Sequence, residues 1–126
     1  MLMENQIKNL NIIAQAIYDK KGFNILALDV KGISSLTDYL IIAEGSVDKH
    51  LQAIANNVIH EMDENPVHVE GKIDGTWIVI DYVDIVIHLF TPTMRERYKL
   101  ERLWEEGKIV DLDIKTKIDN LEDLYG

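Results

Sequence analysis

Cysteine is absent from this chain of 126 residues, and that absence removes three readings at once. A disulfide scaffold, a Cys-ligated zinc site and thiol catalysis all need sulfur, so the composition fits a reducing compartment. Long apolar runs are missing too, and none approaches the roughly 18 residues that span a bilayer. Positive charge is scarce. Thirteen Lys and Arg face 22 Asp and Glu, a formal net charge of -9, which opposes direct phosphate binding by clustered cations. The start, Met1 to Gln6, has neither an apolar signal core nor the Arg-rich character of a transit peptide, so a bacterial cytoplasmic location is expected.

What is present suffices for a core. Apolar residues make up 47 % of the chain, and its length suits one domain. The acid is uneven: residues 105–126 hold seven acids and three bases, a charge of -4, and residues 1–104 hold the other -5.

Ile7, Leu10, Ile13, Ala14 and Ile17 recur at helical spacing and predict an amphipathic helix over 5–19, stopped at Lys20-Lys21-Gly22. Phe23 to Val30 and Tyr39 to Ala43 read as buried strands. Ser46 reads as an N-cap with Asp48 in the first helical turn, before the stripe Leu51, Ile54, Ala55, Val58, Ile59 and Met62. Asn65-Pro66 ends that helix. A strand at His68-Val69-Glu70 pairs with Thr76 to Ile80 through the turn-forming Asp74-Gly75, and Ile85 to Phe90 follows. Thr91-Pro92 opens a short closing helix or pair of turns through Arg95, Tyr98, Leu100, Leu103 and Trp104. Ile114, Ile118, Leu121 and Leu124 allow a C-terminal amphipathic helix. The fold class is α/β, a small mixed five-stranded sheet flanked by helices. The expected organisation is a domain over 1–104 and an acidic extension over 105–126.

Catalytic chemistry finds little support. His50 and His60 stand ten apart and His68-Val69-Glu70 is the only tight cluster, so no metal is expected. His50 and His60 are expected in solvent, and His88 hydrogen-bonded in or beside the sheet. Neither a Gly-x-Ser-x-Gly elbow nor a phosphate-cradling glycine loop occurs among the seven glycines. Gly45-Ser46, after a strand and before a helix, could hold a nucleotide phosphate. Metal-dependent nucleotidyl transfer also needs a strand-borne Asp-x-Asp nearby. The only such triplet, Asp111-Leu112-Asp113, lies far along the chain. A nucleotidyltransferase using Gly45-Ser46 with Asp81 and Asp84 is therefore the alternative reading, and a dimeric scaffold for another protein the third. What remains is a surface: Trp77, Tyr82, Tyr98 and Trp104 are interleaved with acids and arginines, as protein interfaces are. The same spacing equally allows both tryptophans to complete the core.

Between Leu28 and Trp104 the chain resembles the ribosomal silencing factor family, also called Iojap. The stretches that carry the resemblance are Leu28 to Tyr39, Glu44-Gly45-Ser46 with His50 and Ala53-Ile54-Ala55, and Val69-Glu70-Gly71. They continue through Trp77 to Tyr82, Asp84 to Phe90 and Arg95 to Trp104. The resemblance implies a nucleotidyltransferase-like fold without its catalytic carboxylates, no enzymatic activity and no cofactor. It also implies a homodimer when free. The function it implies is repression of translation when nutrients are scarce. Such a protein binds the large ribosomal subunit through ribosomal protein L fourteen and sterically blocks joining with the small subunit. Organelle relatives help large-subunit assembly. Matched position by position, Trp77, Asp81, Tyr82, Asp84 and His88 supply exposed docking side chains. Arg95, Tyr98, Leu100, Glu101 and Trp104 shape the same face or the dimer contact. Thr37-Asp38-Tyr39 and Glu44-Gly45-Ser46 are expected to be architectural. Val83 departs from the family's usual glycine, and a β-branched residue disfavours positive φ, so this turn is expected to differ. Nothing is carried onto the tail beyond Trp104.

Overall fold

The structure, a computed structural model, describes residues 2–72, 74–100, 102 and 105–116. Helix α1 spans Leu2–Asp19, followed by β1 (Phe23–Asp29), β2 (Tyr39–Glu44), α2 (Asp48–Glu61), β3 (His68–Lys72), β4 (Trp77–Asp81), β5 (Ile85–Phe90), α3 (Pro92–Tyr98) and β6 (Lys108–Ile109). The strands form one mixed sheet in the order β3-β4-β5-β2-β1-β6. Its centre is the parallel pair β2 and β5, in register from Tyr39↔Ile85 to Glu44↔Phe90, and every other pairing is antiparallel.

Apolar periodicity explains the layers. Leu10, Ile13 and Ile17 of α1 and Leu51, Ile54 and Val58 of α2 are fully buried against Ile41, Ile80, Ile87 and Leu89 of one sheet face. A second, smaller cluster lies on the other face, where Leu28, Val30, Leu40, Ile42 and Phe90 pack with Met94 of α3, and Trp77 and Leu100 lie against them. All six residues of β2 are buried, as a strand covered on both faces requires.

The α1 stop works through close approach. Gly22 donates its N–H to the Ile17 carbonyl at 2.9 Å, and a Cβ on Gly22 would stand 2.3 Å from Ile17 Cγ2. Gly22→Ala is therefore expected to cost about 1–3 kcal/mol through overpacking, measured as a lower urea midpoint; an unchanged midpoint would show that the turn relaxes freely.

Three local expectations are corrected. The sheet has six strands, because Lys108–Ile109 pairs with β1 through Leu28↔Ile109 and Asp29↔Lys108. Two exposed residues leave no periodicity to read. The N-cap of α2 is Val47 and makes no side-chain cap bond; Ser46 instead donates its backbone N–H to His50 Nδ1 at 2.8 Å. Asp48 does occupy the first turn. The β3–β4 connection keeps the expected Asp74-Gly75 turn: between the paired Lys72 and Trp77 both residues take positive φ (57° and 77°), as a two-residue hairpin turn requires. The closing helix stops at Tyr98, where Lys99 turns left-handed at φ 44°. Leu103, Trp104, Ile118, Leu121 and Leu124 lie outside the described residues, and Ile114 is not in a helix.

The boundary drawn at residue 104 separates stretches that hydrogen-bond to one another. Val110 donates to the Ala27 carbonyl, Asp113 to Asn11 Oδ1, and Lys115 to Gln15 Oε1, whose amide returns a bond to the Lys115 carbonyl. Residues 108–115 thus complete the sheet edge and then run along α1. No helix among the described residues is long and apolar enough to cross a membrane.

Candidate docking surface

Strand alternation divides the candidate residues between two faces. On β4, Ile78 and Ile80 are buried on the helix side, while Trp77, Val79 and Asp81 face the other way and stay half-exposed. On β5, Ile85, Ile87 and Leu89 point to the helices, and Val86 and His88 join the outer face. Cross-strand pairing sets Trp77 beside Phe90, Val79 beside His88 and Asp81 beside Val86.

The outer face is built around Trp77. Its ring lies 4.9 Å from Phe90, 5.0 Å from Tyr98 and 5.9 Å from His88. Its Nε1–H donates to His88 Nδ1 at 3.0 Å, which leaves the ring proton of a neutral His88 on Nε2. Leu100 packs beneath this block, and Tyr98 is 43 % exposed at its rim. Trp77 is thus at once a lid on the smaller core cluster and a partly solvent-facing aromatic. The core reading left open by spacing holds for Trp77 in part, and its remaining surface faces solvent. His88 lies beside the sheet as expected; His60 is exposed, whereas His50 is half-buried with its second nitrogen 2.7 Å from the Lys20 carbonyl.

Other candidates sit elsewhere. Tyr82 is only 7 % exposed and belongs to the helix-side core, so it leaves the docking set. The alternation that puts Asp81 outward carries the next residue inward. Its hydroxyl has no partner among the described residues, and burial, then the Glu64 charge, pushes the phenol above its ordinary value. Arg95 is turned inward as well. Its guanidinium meets Glu44 Oε2 at 3.1 Å and donates to the Asn24 carbonyl, while Asn24 Nδ2 donates to the same Glu44 oxygen at 2.9 Å. This bridge fastens α3 to β1 and β2 instead of offering a cation to solvent. Glu101 and Trp104 lie outside the described residues.

The β4–β5 turn corrects another expectation. Val83 keeps the left-handed backbone that glycine favours, at φ 73°. Asp81 Oδ1 accepts the Val83 N–H at 2.7 Å, and the Asp84 N–H closes a three-residue turn on the Tyr82 carbonyl at 2.9 Å. The Asp84 side chain is exposed, and its carbonyl accepts the N–H groups of Asp38 and Tyr39.

The segment leading into Tyr39 is tied into the fold. Gln6 donates to Asp38 at 3.1 Å, and the Lys31 ammonium reaches Tyr39 Oη at 2.6 Å and Asp29 at 3.0 Å. Burial opposes ionisation of Asp29, yet the Lys31 N–H and ammonium outweigh it and hold the carboxyl below its ordinary value.

The nucleotidyl-transfer alternative fails on distance. Gly45 lies past the end of β2, bonded to the Phe90 carbonyl, whereas Asp84 lies at the strand's start, bonded to Tyr39. Six-residue β2 keeps the two sites roughly 17 Å apart, too far to clamp one phosphate and its metal. Asp111 and Asp113 follow the strand that closes the far edge, and Asp113 is bound to Asn11 of α1. Among the described residues, no group of three or more His, Asp or Glu is arranged to hold a metal.

Against this geometry the comparisons are consistent with one another. The family profile described as "Ribosomal silencing factor during starvation" matches residues 3–123, which include most of the acidic stretch beyond Trp104. The chain is 42 % identical over 112 residues to the ribosomal silencing factor RsfS of Bacillus subtilis, covering 86 % of this chain and 95 % of that one. A solved structure from Chromobacterium violaceum superposes with a TM-score of 0.73 at 30 % identity, covering 88 % and 92 % of the two chains. One from Bacillus halodurans gives 0.69 at 36 % identity, covering 82 % and 96 %.

Proposed function

Because this chain belongs to the ribosomal silencing factor family, we propose that it is a cytoplasmic translation repressor that works by occupying a surface of the large ribosomal subunit. It docks through a basic ribosomal protein, L fourteen by the family resemblance, and keeps the small subunit from joining. It turns over no substrate, and the free protein is a homodimer. The observation that carries this reading is the outer sheet face. Trp77, Tyr98 and His88 form one aromatic block there, and Asp81 lies on the same face at the opposite end of β4. A partly exposed aromatic anchor on a sheet face suits a protein interface.

The acidic net charge suits such a partner. Ribosomal RNA repels most of the molecule, whereas a basic protein patch attracts one face, so charge acts on encounter rate and site choice. The protein should co-sediment with isolated large subunits at micromolar concentration and low salt, and lower the yield of joined ribosomes when added before small subunits. Failure to co-sediment would remove the reading.

A further inference from the structure

Val83 combines two properties that folding alone does not reward. Its backbone is in the left-handed region at φ 73°, which a β-branched side chain strongly disfavours, and its side chain is 54 % exposed. An exposed valine returns no core packing for that strain; glycine or asparagine would hold the same backbone more easily. The surrounding bonds nonetheless enforce it. The Asp81 carboxylate binds the Val83 N–H, Tyr82 donates to Ile85 and accepts from Asp84, and Asp84 is anchored to Asp38 and Tyr39. Strain that persists because its surroundings over-determine it is a feature of functional sites.

The neighbours define what this tip could meet. Val67, 65 % exposed, is held beside it by its N–H on the Asp81 carbonyl, and Val69 is 46 % exposed on the adjoining edge strand. The Asp81 and Asp84 carboxylates flank the tip, and from residue 73 to residue 94 the chain holds three Asp and no Lys or Arg.

We propose that Val83 is a specificity-determining contact. With Val67 it forms an apolar tip between carboxylates, which receives a segment of the basic protein partner whose Lys or Arg side chains lay aliphatic carbons on the valines and cations on Asp81 and Asp84. This rests on the docking function proposed above.

Val83→Gly and Val83→Asn in the full chain separate the roles of this residue. Both should raise the melting temperature, by about 4 °C, because each relieves strain. Both should also weaken co-sedimentation with isolated large subunits by about tenfold, with wild type as the reference. A melting temperature that rises while affinity stays at the wild-type value would overturn the proposal, and so would one that does not rise. If wild type itself fails to bind large subunits, the docking function falls first, and the variant data then say nothing in its favour.

Discussion

Arg95→Ala should lower the stability of this domain by about 3 kcal/mol, the scale set by removing one partner of a buried ion pair. The Arg95 side chain is 14 % exposed and that of Glu44 9 %, so neither charge is appreciably solvated. Removing the guanidinium leaves the Glu44 carboxylate with the Asn24 amide as its one remaining side-chain donor among the described residues. It also frees the Asn24 carbonyl, at a residue held left-handed at φ 50° where the β1–β2 register shifts. The loss should appear as a lower urea midpoint with an unchanged slope.

The double variant Arg95→Met with Glu44→Leu should recover most of this loss, since an apolar pair of similar volume replaces both charges. Arg97→Ala, on the exposed side of α3, should stay within about 0.5 kcal/mol of wild type. A cost under about 1 kcal/mol for Arg95→Ala would show that water reaches Glu44 and that the bridge is a surface pair.

The same bridge marks how far the sequence could be read. Helix stripes and buried strands were legible because long periodic runs leave one solution: Leu51, Ile54, Ala55 and Val58 all face the core. Alternation on β4 also separated Trp77 and Val79 from Ile78 and Ile80. Applied one residue further, it would have sent Tyr82 to the helix side and out of the docking set. Arg95 is different in kind. Its partners, Glu44 and Asn24, lie 51 and 71 residues away, and no local pattern announces a side chain that turns inward over such a span. The short β6 was illegible for the same reason: two exposed residues carry no period, and their strand character comes from β1. Val83 shows propensity overridden by tertiary bonds. The Asp81 carboxylate and the anchored Asp84 hold a turn that the side chain itself disfavours. Thus the candidate face was legible as a set of strand positions, whereas the bonds that aim its members were not.

Trp77→Ala should weaken binding to the large subunit by about 1–4 kcal/mol, roughly fivefold to a thousandfold in affinity. The indole holds the outer face together: it contacts Phe90 and Tyr98 and donates to His88. Alanine removes the anchor, lets Tyr98 fall from its stack and leaves His88 Nδ1 without the indole donor. Because Trp77 also covers the smaller core cluster, some stability goes with it, and affinity must be read against the folded fraction. Two further variants separate these effects. Trp77→Phe keeps an aromatic ring over Phe90 but loses the donor to His88, so its affinity should fall between wild type and alanine. Ile87→Ala, fully buried on the opposite face, should cost about 2–5 kcal/mol of stability. Its folded molecules should still bind as wild type does. If Trp77→Ala binds normally while folded, the aromatic block is core alone and docking must use another face. If Ile87→Ala weakens binding as much as Trp77→Ala does, the loss reflects general loosening rather than a missing anchor. An anchored outer face requires the two variants to part: stability lost without affinity on the helix side, affinity lost beyond stability at Trp77.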